Sequence, residues 1–131
     1  MTRVEFHVVE SGAHNARLQY ATDWLGALGT HVRAHVLIDN DLPPADRATL
    51  VAACTHISLL AAADPPPRPD KNTVLINLAT QVPPFFSRYR CALDIADKRG
   101  ATVECDRARY RFYRDRGYPI TLHTIDAQEV A

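Results

Sequence analysis

The stretch Thr73–Leu78 (Thr-Val-Leu-Ile-Asn-Leu) constrains this chain more than any other. A short, almost wholly apolar run has no polar face to show to water, so it reads as a strand covered on both sides, at the centre of a parallel sheet. Such a sheet needs helices above and below it, and the flanking sequence offers them. Val4, Phe6 and Val8 alternate with Glu5 and His7, giving a first strand that Ser11-Gly12 breaks. From about His14 to Leu28, the residues Leu18, Ala21, Leu25 and Leu28 follow helical spacing, and Gly29 is placed to end the helix. Val32, Ala34, Val36 and Ile38 alternate again, and Asp39-Asn40-Asp41 makes a turn.

Pro43 and Pro44 open a second helix through roughly Cys54, since proline is tolerated in a first turn. His56–Leu60 reads as a short strand or edge, and Ala61–Asp70, with its prolines at 65–67 and 69, as a stiff surface connection. After Thr73–Leu78, Pro83-Pro84 starts a third long helix in this reading. Phe85, Tyr89, Leu93 and Ala96 sit at core spacing, and Lys98-Arg99-Gly100 forms its end. Ile120 and Leu122, extended by His123–Ile125, give a last strand. Strands alternating with helices imply a three-layer α/β sandwich, Rossmann-like, with a mostly parallel sheet. A length of 131 residues suits one domain.

Between the third helix and the last strand lies Arg107–Tyr118, with five arginines and three tyrosines in a chain of zero formal net charge. At about 100° per residue, Arg107, Arg111 and Arg114 make one basic stripe on a helix, bordered by Tyr110 and Tyr113. Cys105, Ala108 and Phe112 share the opposite arc and are expected to be its buried side. Glu104 and Asp106 suit the N-terminus, Arg114 and Arg116 the C-terminus. Gly117 fits a left-handed exit and Pro119 forbids continuation. Arginine forks match carboxylates or phosphates. The stripe can equally be a solvated helix face, and charge alone does not choose between nucleic acid and an acidic peptide.

Other chemistries are poorly represented. The glycines at 12, 26, 29, 100 and 117 form neither a dinucleotide-binding nor a P-loop pattern, and Glu10 beside the first turn would repel phosphate. His31 and His35 lie roughly 13 Å apart along a strand, and Cys54 with His56 has no second pair at zinc spacing. No cofactor or metal is expected. No nucleophile motif appears, so an enzyme on this scaffold would need a pocket of perturbed acids that the sequence does not display. The three cysteines, Cys54, Cys91 and Cys105, suit reduced thiols. The N-terminal sequence has no apolar signal segment and no run approaches the ~20 residues of a membrane span, so a cytoplasmic protein is expected.

Three segments together resemble the chi subunit family of bacterial DNA polymerase III holoenzyme. They are Thr2–His7, then Val74–Leu78 followed by Val82–Tyr89, and Ala108–Pro119. The resemblance is loose over residues 1–38 and close over 73–125. It implies a non-enzymatic replisome adaptor with a nucleotide-binding-like fold that binds no nucleotide. Such an adaptor links the clamp-loader complex, through the psi subunit, to the acidic C-terminal tail of single-stranded-DNA-binding protein. The resemblance carries the tail site onto Arg107, Tyr110, Arg111 and Arg114, with Gly117 and Tyr118 just after, and Ile95 and Ala96 as the wall of a pocket for the tail's apolar end. The chain departs from the family pattern between Leu50 and Asp70, the region that contributes to psi binding, where it has no tryptophan and a proline-rich shortcut. It also carries Lys98–Thr102 where an acidic run usually precedes the arginine helix. A direct single-stranded nucleic-acid-binding module using the same basic helix is the alternative reading.

Overall fold

The computed structural model describes residues 2–13, 15–29, 31–61, 64, 68–98 and 102–126. Six strands form one all-parallel sheet: β1 (Arg3–Glu10), β2 (Arg33–Leu37), β3 (Ile57–Leu60), β4 (Thr73–Asn77), β5 (Cys91–Ala96) and β6 (Ile120–Asp126), in the spatial order β3-β2-β4-β5-β1-β6. The helices are α1 (Ala16–Gly26), α2 (Pro44–Ala53) and α3 (Val103–Asp115), with a short 3-10 turn at Phe86–Arg88. Two cores sandwich the sheet. One packs Ala21 and Leu25 of α1 and Leu50 of α2 on Val9, Val36, Ile76, Leu93 and Ile95. The other packs Tyr113 of α3 and the loop aromatics Phe85, Phe86 and Tyr89 on Val4, Phe6, Leu75 and Ala92. This is the expected three-layer, Rossmann-like α/β fold.

Every residue of β4 is buried, as its sequence required of a strand covered on both faces. His56–Leu60 resolves as the edge strand β3, paired on one side to β2. Pro43 and Pro44 stand at the N-cap and first turn of α2. The helix α1 closes earlier than expected: it ends at Gly26, and a hydrogen-bonded turn from Leu28 N–H to the Leu25 carbonyl (3.2 Å) finishes it. Gly29 needs no left-handed backbone there, since Gly117 is the one glycine with positive φ among the described residues. His14, the expected start of α1, and parts of the 61–70 connection lie outside the described residues.

The third long helix does not form. Its first half is a loop with the 3-10 turn, in which Phe85, Phe86 and Tyr89 are buried. Its second half is β5, a central strand between β4 and β1. From Ala92 to Ala96 every residue of β5 is buried, so both faces are covered and no periodicity distinguishes strand from helix. The helical spacing of Phe85, Tyr89, Leu93 and Ala96 reflects two unrelated packing demands. Phe85, Tyr89 and Ala96 serve the α3-side core and Leu93 the α1-side core.

Candidate peptide-binding groove on the arginine helix

The arginine stretch folds as the expected helix, but it is turned about its axis. Asp106, Arg109 and Tyr113 are its buried residues. Cys105 and Phe112 are half-buried and Ala108 is exposed. The buried arc lies about 100°, one residue, from the expected one. An apolar count could not anticipate this, because the inward face is charged and its charges are matched by Asp94 of the sheet and by each other. Arg109 Nε meets Asp94 Oδ1 at 2.9 Å and its Nη2 meets Asp106 Oδ1 at 2.6 Å. The Tyr113 hydroxyl donates to Asp94 Oδ2 (3.1 Å) and Asn77 Nδ2 donates to the same oxygen (3.2 Å).

Burial works to lower the Arg109 pKa, yet the Asp94 and Asp106 carboxylates outweigh it and hold it above the ordinary value. Burial pushes the Asp106 carboxyl up, and the Arg109 charge offsets this only in part. Burial, then the neighbouring Asp94, drives the Tyr113 hydroxyl far up, so it stays a donor.

With that face fixed inward, Arg107, Arg111 and Arg114 face out and line a groove of about 480 Å³ between α3 and the β1–β6 side of the sheet. Phe6 and Val8 of β1, Leu122 of β6 and Ala96 at the end of β5 also line it. Tyr110 belongs to the same wall, its ring edge-on to Phe6 with centroids 5.4 Å apart. Lys98 adds a fourth cation to the lining. The result is an apolar floor inside a cationic rim.

Two of the stripe's arginines have light partners of their own. Arg107 reaches Glu104 at 3.4 Å and Arg114 reaches Asp115 at 3.2 Å, with all four side chains more than half exposed. Exposed pairs of this kind contribute ~0–1 kcal/mol, so a ligand carboxylate can replace either one at little cost. Arg111 makes no ion pair among the described residues. Asp97 and Asp106 also line the groove. Asp106 is bound by Arg109, and Asp97 accepts a hydrogen bond from the Thr102 hydroxyl at 2.9 Å.

The remaining expected site residues divide. Ala96 lines the groove. Ile95 does not: it lies in a strand, not a helix, and its side chain is buried in the core on the α1 side. Adjacent residues of a strand point to opposite faces, so Ile95 and Ala96 cannot share one wall. Only the Ile95 carbonyl touches this region, accepting from Arg17 Nε (2.8 Å) and Arg109 (3.4 Å).

Gly117 and Tyr118 sit at the helix exit, outside the groove lining. Gly117 has φ 77°. Its N–H reaches the Arg114 carbonyl (3.0 Å) while the Tyr118 N–H reaches that of Tyr113 (3.2 Å), the bond pair of a Schellman closure. Tyr118 then packs on Phe86, ring centroids 4.8 Å apart. Phe6, Val8 and Leu122 were missed as lining residues. The alternation of their strands put them on common faces, but only the pairing of β1 with β6 brings them together.

The family model described as DNA polymerase III chi subunit, HolC, matches residues 42–121, more than half of the chain and including all of α3. The chain is also similar to DNA polymerase III subunit chi of Pseudomonas aeruginosa, 26% identical over 148 residues, covering 95% of this chain and 98% of that protein. This protein therefore belongs to the DNA polymerase III chi subunit family, and its role lies in DNA replication.

Proposed function

We propose that this protein is a replisome adaptor whose groove on α3 receives the acidic C-terminal tail of single-stranded-DNA-binding protein. The observation that carries this reading is the pairing of a cationic rim (Arg107, Arg111, Arg114) with an apolar floor (Phe6, Val8, Tyr110, Leu122) in one groove. A tail of aspartates with an apolar side chain near a free carboxylate has complementary parts: its carboxylates meet the guanidinium forks while its apolar end covers the floor. Bare nucleic acid would use the rim and leave the floor unexplained. Because the rim is exposed, binding is modest and weakens as salt rises.

Titration with a synthetic acidic peptide ending in a free carboxylate tests the reading. The double variant Arg107→Glu, Arg111→Glu should abolish binding while the circular dichroism spectrum stays unchanged. Undiminished binding by that variant removes the groove from the mechanism. Tighter binding to a bare oligonucleotide than to the peptide favours the nucleic-acid reading instead.

The link toward the clamp loader belongs to the same proposal. On α2, across the sheet from the groove, Val51 is a large apolar side chain left 52% exposed. It lies within the stretch that departs from the family pattern. Co-purification with psi, in the wild type and in Val51→Asp, tests whether that face carries the second partner.

A further inference from the structure

On the face of the sheet opposite the groove, Glu5 and His7 of β1 and His123 of β6 bring one ligand atom each to within 4.8 Å of one another. The sequence separates His7 from His123 by most of the chain. The parallel register of β1 and β6 makes them direct Cα partners. Glu5 lies two residues before His7 and so on the same face of β1.

The convergence has the dimensions of a metal site. His7 Nε2 and His123 Nε2 each lie 3.5 Å from Glu5 Oε1. Ligand atoms held about 2.1 Å from a tetrahedral zinc ion are about 3.4 Å from each other, which matches both glutamate–histidine separations, and the whole cluster closes within 4.8 Å. The atoms around them are arranged to support it. His7 Nδ1 is 2.6 Å from the Tyr20 hydroxyl; the tautomer with the proton on Nδ1 donates to Tyr20 and leaves the Nε2 lone pair facing the cluster, as metal-bound histidines require. Glu5 Oε2 faces the Cys91 thiol (3.5 Å) and Arg3 (3.7 Å), which leaves Oε1 for the ion. The side chains of His7, Glu5 and His123 are 9%, 28% and 43% exposed, so the site is anchored at one end and open to solvent at the other.

We infer that Glu5, His7 and His123 form a binding site for a divalent transition metal of the zinc class, with water completing the coordination. Two imidazoles and one carboxylate suit zinc and its neighbours, and disfavour magnesium and calcium, which take oxygen ligands. The ion ties edge strand β6 to β1.

Untagged protein, stripped of metal, is titrated with ZnCl2 in calorimetry against a competing chelator, and with CoCl2 in visible absorption. The inference expects one ion per chain, micromolar or tighter, with the intense visible bands of four-coordinate cobalt and a raised melting temperature. His123→Ala and Glu5→Gln, both at partly exposed positions, should each weaken binding at least tenfold while keeping the metal-free melting temperature. Tyr20→Phe, which removes the orienting hydroxyl, should weaken it roughly tenfold or more. His31→Ala and His56→Ala, exposed and remote, should change nothing. Binding that survives His123→Ala, or that is lost in His56→Ala, overturns the assignment, as does the absence of stoichiometric uptake at tens of micromolar zinc.

Discussion

Arg109 of α3 and Asp94 of β5 form an ion pair at 2.9 Å with side chains 3% and 0% exposed. The pair joins a helix to a central strand through the core rather than across the surface. It explains how an arginine-rich helix can pack closely on a sheet. One arginine is turned inward and neutralised, and its rotation sets Arg107, Arg111 and Arg114 outward on the groove. The position of the rim is thus decided from beneath.

Removing one partner of this pair leaves a buried charge without its counter-ion. Arg109→Ala and Asp94→Ala are each expected to cost about 3–5 kcal/mol of stability. Replacing both with apolar residues (Arg109→Met with Asp94→Leu) should not recover the loss, because Asp106, the Tyr113 hydroxyl and Asn77 would each lose a buried partner. Urea unfolding of the three variants measures this. A loss below about 1 kcal/mol in both single variants would show that the pair does not anchor α3.

Leu122 supplies floor area but little stability, being 57% exposed. Leu122→Ala should leave the unfolding midpoint nearly unchanged, as exposed positions usually do. It should weaken an acidic peptide with an apolar end by about 1 kcal/mol, roughly fivefold. The comparably exposed Val51, on α2, is the control: Val51→Ala should not affect peptide affinity. Fluorescence anisotropy with labelled peptide separates the two.

His35 gives the fold a pH dependence. Its Nδ1 is 2.8 Å from the Tyr89 hydroxyl, whose own pKa burial pushes up to about 12. Burial lowers the His35 pKa; Asp70 acts to raise it and Arg33 to lower it. A lowered folded-state pKa means that the unfolded chain takes up this proton first. The stability from neutral His35 is therefore present above the unfolded value near pH 6.5 and is lost as pH falls through the folded one. His35→Gln should flatten the slope of melting temperature between pH 7 and 5. An unchanged slope would place the dependence elsewhere.

Gly117 closes α3 with left-handed backbone, and a Cβ there would meet nothing within 4 Å. The cost of Gly117→Ala is then conformational alone, about 1–2 kcal/mol. Gly117→Asn should cost less, since asparagine tolerates this region better. Thermal unfolding of both variants checks the order, and equal losses would contradict a conformational origin.

Much of this protein was legible in local pattern. The alternating strand β1, β4 with its apolar centre, the helix α2 behind its prolines and α3 between its acidic start and Gly117 all follow from spacing and capping. Those are short-range effects, fixed by residues within a few positions of one another. The spacing of Arg107, Arg111 and Arg114 along one stripe is equally local, though not the rotation that turns the stripe outward.

The tertiary structure decided what no single segment could. Cys91–Ala96 is a strand because the sheet has a vacancy for it between β4 and β1, and burial on both faces erases the period that would have announced it. Arg109 faces inward because Asp94, fifteen residues earlier, waits in the core. Ile95 leaves the groove because strand geometry turns it to the other face. Leu122 joins Phe6, and His123 joins His7, because β6 pairs with β1. Charge compensation and strand pairing act between distant residues, and so they belong to the fold as a whole.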